Sequence, residues 1–174
     1  MKPTKLSAIV SYAVASSIIG VFLAEFLVRS GSPIPVSPAS LVAVLPFISI
    51  SLVVFAWPIF KYRSAVRARL EQVKKDPAAT NSPAPKRVDP FYAVRVALLA
   101  KSTAIAGAFF SGWHAGVLIA LLSSPAPTAS LLWRAILAVS GSIAMVVCGL
   151  VVERACKVPP DAKLESGDAD GAAA

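Results

Sequence analysis

The chain holds one histidine, two cysteines and nine carboxylate side chains among its 174 residues. A protein metal site needs three or four His, Cys or carboxylate ligands converging. Only His114 and Glu25 fall at a similar depth in the apolar segments described below, so no metal ligand set exists. No G-x-S-x-G turn occurs, and Ser111, three residues before His114, has no second acid to complete a catalytic set. The absence of a phosphate-binding glycine loop excludes an ATP-driven motor within the chain. No residue is therefore assigned a catalytic, cofactor-binding or metal role, and the expectation is a non-enzymatic protein with no cofactor.

Charge is missing in a patterned way. The composition is 56% hydrophobic and 15% charged. Four stretches, 6–28, 41–60, 102–122 and 131–152, are nearly free of charge. At 1.5 Å per residue each reaches about 30 Å, the thickness of the hydrocarbon core of a bilayer. A soluble core helix would be shorter and would keep a polar face, whereas these are apolar all round. The reading is all-α: a four-helix transmembrane bundle made of two helical hairpins. One membrane domain covers 1–160, with a basic linker over 61–101 and a disordered tail over 161–174.

The two outer connections lack charge as well. Fifteen of the seventeen Lys and Arg residues lie on one side of the four segments. Only Arg29 and Arg134 flank the other side. By the positive-inside rule both termini and the central linker are cytoplasmic. The net charge of +8 is thus explained without nucleic acid, because attraction to anionic lipid accounts for it. Lys61, Arg63, Arg67, Arg69, Lys74 and Lys75 are the candidate lipid contacts, and no nucleic-acid partner is assigned. The basic N-terminus followed by an apolar run resembles a signal peptide. The run is too long for one, and no small-residue cleavage site or lipidated cysteine follows, so it reads as an uncleaved anchor. Cys148 and Cys156 are eight residues apart on one helix, about 12 Å, too far for a disulfide.

Local signals set the helix ends. Pro46 lies inside the second span and should kink its outer part, and Pro58 acts near the inner end. Helix should continue through 62–75, where Val66, Leu70 and Val73 recur among basic residues, and such a segment would lie on the anionic leaflet. Three prolines then mark a flexible stretch over 76–87. Asp89-Pro90 is a helix start, with Asp as N-cap and Pro in the first helical position.

Two constellations stand out. Ala100, Ala104, Ala108, Gly112, Gly116 and Ala120 recur every four residues on the third span. In lipid such a groove of small residues is a packing face. The face Ala104, Ala108, Gly112, Gly116 and Ala120 can serve either the monomer or a partner helix. Ser16, Gly20 and Ala24 make a shorter strip on the first span, and Ser140, Ala144 and Cys148 one on the fourth. The second constellation is polar. Glu25 and His114 lie roughly 5 and 12 Å below the outer span ends, near Arg29 and Arg134. An acid there must be paired, so Glu25, Arg29, His114 and Arg134 form a candidate cluster. It is either an interfacial ion pair beside a helix-bonded histidine or a small titrating site.

Asp89-Pro90, Arg95, Ala100-Lys101, Gly107, the run Gly112-Trp113-His114-Ala115-Gly116 and the run from Glu153 to Pro159 resemble a known family. It is the actinobacterial family of small four-span integral membrane proteins classed as a domain of unknown function, often encoded beside folate-biosynthesis genes. The resemblance runs from the first span to the proline after the fourth. It implies a multi-pass protein of the bacterial plasma membrane and carries no mechanism. An aromatic residue is common in that family where this chain has His114, which disfavours a proton relay. The functional expectation is an accessory or assembly subunit acting through helix packing and its basic loop, with a membrane-protein partner or a homo-oligomer. The alternative is a small oligomeric transporter or channel with Glu25 and His114 lining its path.

Overall fold

The computed structural model describes residues 4–75, 88–124 and 127–156. The proline-bearing stretch 76–87 and the tail over 161–174 lie outside the described residues. Among the described residues there are four helices: α1 (Leu6–Arg29), α2 (Ala39–Lys75), α3 (Pro90–Leu122) and α4 (Ala129–Ala155). All four are long and apolar enough to cross a membrane. The chain is a multi-pass membrane protein built as a four-helix bundle.

Helix ends follow local chemistry. The Asp89 carboxylate accepts the Phe91 N–H at 2.9 Å, with Pro90 in the first turn, so α3 starts as the sequence predicts. α1 ends in a Schellman motif. Gly31 adopts φ 77°, its N–H bonds the Val28 carbonyl, and the Ser32 N–H reaches back to Leu27 at 2.9 Å. α2 has 37 residues, about 55 Å, and so outruns a bilayer core by about 25 Å. Both Pro46 and Pro58 lie within this one helix. Each removes an intrahelical bond, and Tyr92 of α3 donates its hydroxyl to the Phe55 carbonyl at 2.6 Å, three residues before Pro58.

The packing order is α1–α3–α4–α2. α3 and α4 form an antiparallel pair, with Gly107 beside Ser142 and Met145, and Gly149 beside Ala100 and Ala104. α1 runs parallel to α3: Gly112 faces Ala13 and Ser16, and Gly116 faces Ser17 and Gly20. α2 packs on α4, where Gly141 leaves room for Leu45 and Pro46. A cluster of Leu52, Ala56, Ile59, Val96, Ala100 and Val152 joins α2, α3 and α4 towards the basic end. The α1–α2 pair is therefore a hairpin by connection only, because the two helices do not pack on one another. Nine residues, Ser30 to Pro38, separate them and can reach about 30 Å when extended. That is enough to cross the end of the α3–α4 pair away from the basic linker.

The four-residue repeat on α3 explains why one helix serves two partners. Four residues turn an α-helix by about 400°, so the stripe drifts about 40° per step. All six of its positions are buried. Ala100 and Ala104 meet Gly149 of α4, whereas Gly112 and Gly116, further along, have rotated towards α1. On α1 Ser16, Gly20 and Ala24 are all buried. On α4 the buried face differs from the expected Ser140, Ala144 and Cys148. It is Ala138, Gly141, Ser142, Met145, Gly149 and Val152, while Ser140 is exposed and Ala144 and Cys148 are half-buried. The expected strip lies one residue before the true face, about 100° around the helix.

Contact this close leaves no space for a side chain. A Cβ at Gly112 would collide with the Ala13 carbonyl and Ser16 Oγ, whereas one at Gly141 would meet Leu45 Cβ at 3.2 Å. Gly112→Ala should lower unfolding stability in micelles by about 1–3 kcal/mol, and Gly141→Ala by clearly less. Equal stability of the two variants would contradict the α1–α3 contact.

Candidate functional site

His114 is the polar centre of the membrane region. It is 3% exposed and sits where α3, α4 and the α1–α2 connection meet. Ser37 Oγ lies 2.8 Å from its Nε2, and Ser142 Oγ lies 3.0 Å from its Nδ1. Ser142 donates its single hydroxyl proton to the Ala138 carbonyl at 2.7 Å. Its oxygen is therefore an acceptor towards the ring, and the Nδ1–H tautomer satisfies the network, with Ser37 donating to Nε2. Phe110, one turn earlier, stacks on the ring with centroids 6.0 Å apart and 16° between planes. No carboxylate bonds the imidazole among the described residues, so a charged ring would be buried without a counter-ion. Chemically, this is a hydrogen-bonded strut.

The other members of the expected polar cluster lie elsewhere. Glu25 and Arg29 form an i,i+4 pair at 3.9 Å with side chains 52% and 83% exposed. The acid precedes the base, which suits the helix dipole, and an exposed pair of this kind contributes a few tenths of a kcal/mol. Arg134 is exposed on α4. The four residues do not converge: Glu25 takes Arg29 as its partner, and His114 takes two serines. Ser111 bonds the Ala108 carbonyl of its own helix at 2.9 Å and takes no part.

The packing face Ala104, Ala108, Gly112, Gly116 and Ala120 is buried along its whole length. Ala104 and Ala108 close a small cluster with Ile9 of α1. At the basic end, Lys61, Arg67, Lys74 and Lys75 are exposed and Arg63 and Arg69 half-buried. Arg63 Nη1 donates to the Arg154 carbonyl at 2.6 Å, satisfying an orphan carbonyl in the last turn of α4.

Sequence reasoning passed over three residues of this framework. Glu153, 9% exposed, accepts the Thr4 N–H at 2.7 Å. It thus places a carboxylate at the start of α1, which has no side-chain cap of its own. Ser37 carries no recognisable signal, being one serine in a Pro/Ser-rich turn. Ser142 could have been found from helical register with Met145 and Gly149. Cys156 follows α4 directly; burial pushes its thiol up, Arg63 opposes that, and Glu153 adds to it.

A family model described as a protein of unknown function, DUF3180, matches residues 9–160. The chain belongs to the DUF3180 family. No curated protein and no solved structure matches it. The DUF3180 match spans all four helices, from the α1 residue that touches Ala104 and Ala108 to the second proline after α4. It thus covers both the His114 network and the small-residue face.

If His114 is a strut, its bonds must be felt in stability. A double-mutant cycle of His114→Phe with Ser142→Ala should give a coupling of about 0.5–1.5 kcal/mol. Glu25→Gln combined with His114→Phe should be additive within about 0.5 kcal/mol. Strong Glu25–His114 coupling would restore the single polar cluster.

Proposed function

We propose that this protein is a non-enzymatic accessory or assembly subunit of a bacterial plasma membrane, with both termini and the basic linker cytoplasmic. The orientation rests on the placement of fifteen Lys and Arg residues on one side. The functional reading rests chiefly on the use of His114. Its ring bonds Ser37 and Ser142 and ties the connection to the α3–α4 pair. A transport path lined by His114 and Glu25 would need the two side chains together, and each has its own separate partners.

A partner helix would not dock on Gly112 and Gly116, which α1 already covers. The flanks of the row remain. α1 buries only Ile9, Ser16, Gly20 and Ala24, so most of its surface is outward-facing. A helix held along one side in lipid can take a second neighbour on the other.

Extraction of native membranes into polymer-bounded discs, followed by native mass spectrometry, should give a complex with another membrane protein at fixed stoichiometry. A lone monomer would contradict the subunit reading. Solute flux in proteoliposomes that falls with His114→Ala in a variant of unchanged stability would favour the transporter instead.

A further inference from the structure

A cleft of about 620 Å³ opens between α2 and α4 at the basic end. Its walls include Phe60, Arg63, Arg67, Glu71, Val151 and Arg154. The charge-free stretches of α2 and α4 end at Phe60 and Val152, so the apolar part of the cleft lies at the edge of the hydrocarbon. Arg63 and Arg67 stand three and seven residues beyond Phe60, about 5 and 10 Å along the helix. The headgroup layer on each side of a bilayer is about 5–8 Å thick, so Arg63 stands within it and Arg67 just beyond it, with a side chain that tilts back towards the helix N-terminus and so towards the lipid phosphates.

The charges inside the cleft do not balance. Three arginines share it with one carboxylate. Arg63 and Arg67 are four apart on one helix, a spacing at which like charges repel. Arg154 brings a third cation from the neighbouring helix. The bond from Arg63 Nη1 to the Arg154 carbonyl fixes one guanidinium and leaves it other N–H donors. A planar fork of donors beside further cations matches phosphate oxygens.

We propose that this cleft binds the phosphate-bearing headgroup of one anionic phospholipid, with acyl chains descending past Phe60 and Val151. A free phosphate shares the charge chemistry, but it has no use for the apolar floor. The site involves only two of the six linker residues expected to touch lipid, Arg63 and Arg67, and adds Arg154. It stands apart from the subunit reading, and either can fail without the other.

The test is native mass spectrometry of the full-length protein in mixed micelles titrated with phosphatidylglycerol or phosphatidylcholine. Wild type should retain one phosphatidylglycerol at least about tenfold more tightly than phosphatidylcholine. Arg67→Gln with Arg154→Gln should weaken that retention at least about tenfold. Lys74→Gln with Lys75→Gln removes equal charge outside the cleft and should leave it intact. No headgroup preference in wild type, or equal loss in both double variants, overturns the site. Displacement of the lipid by millimolar inorganic phosphate would assign the cleft to a soluble anion and overturn the lipid.

Discussion

The close approach of α1 to α3 through Gly20, Gly112 and Gly116 is the constraint on which the remaining architecture depends. Lipid tails are as apolar as leucine, so burying a leucine between helices gains little in a membrane. What holds two helices together is close backbone contact and dispersion. A Cβ at Gly20 would stand 2.8 Å from the Trp113 carbonyl, which only glycine tolerates. Once α1 lies on that face of α3, α2 cannot share it. The chain must cross the end of the α3–α4 pair away from the basic linker before α2 runs back along α4.

That crossing gives the polar residues their positions. The connection brings Ser37 onto the imidazole of His114, and Ser142 meets it from the other side. At the opposite end Glu153 receives the start of α1, and Arg63 receives the end of α4. The outer helices are therefore tied to the central pair at their ends as well as along their lengths. Each tie meets a backbone or ring group that lipid could not satisfy.

Much of this was legible in the residues. Four spans follow from uncharged stretches, the α3 start from Asp89-Pro90, and the long α2 from Val66, Leu70 and Val73 at helical spacing. Even the two-partner nature of α3 is written in the sequence, since a strict repeat of four on a 3.6-residue helix must wind around it. Helix order was not legible. A nine-residue turn reads as a tight hairpin, yet an extended Pro/Ser-rich segment of that length bridges two helix widths. The misplaced polar cluster has the same origin. Position within one span can be counted from sequence, but how two spans stand against one another depends on their packing: Ser17 and Gly20 of α1 meet Gly116 and Trp113 of α3, which leaves Glu25 about 8–12 Å beyond the level of His114.

Helix order is therefore the claim to test. Double electron–electron resonance can compare two label pairs in a Cys148→Ser, Cys156→Ser background. One pair is Val28→Cys with Leu122→Cys, on α1 and α3; the other is Val28→Cys with Val44→Cys, on α1 and α2. Neighbouring helices pack about 8–10 Å apart, so the α1–α2 distance should exceed the α1–α3 distance by roughly one helix spacing, about 10 Å. An α1–α2 distance equal to or shorter than the α1–α3 distance would contradict the order α1–α3–α4–α2.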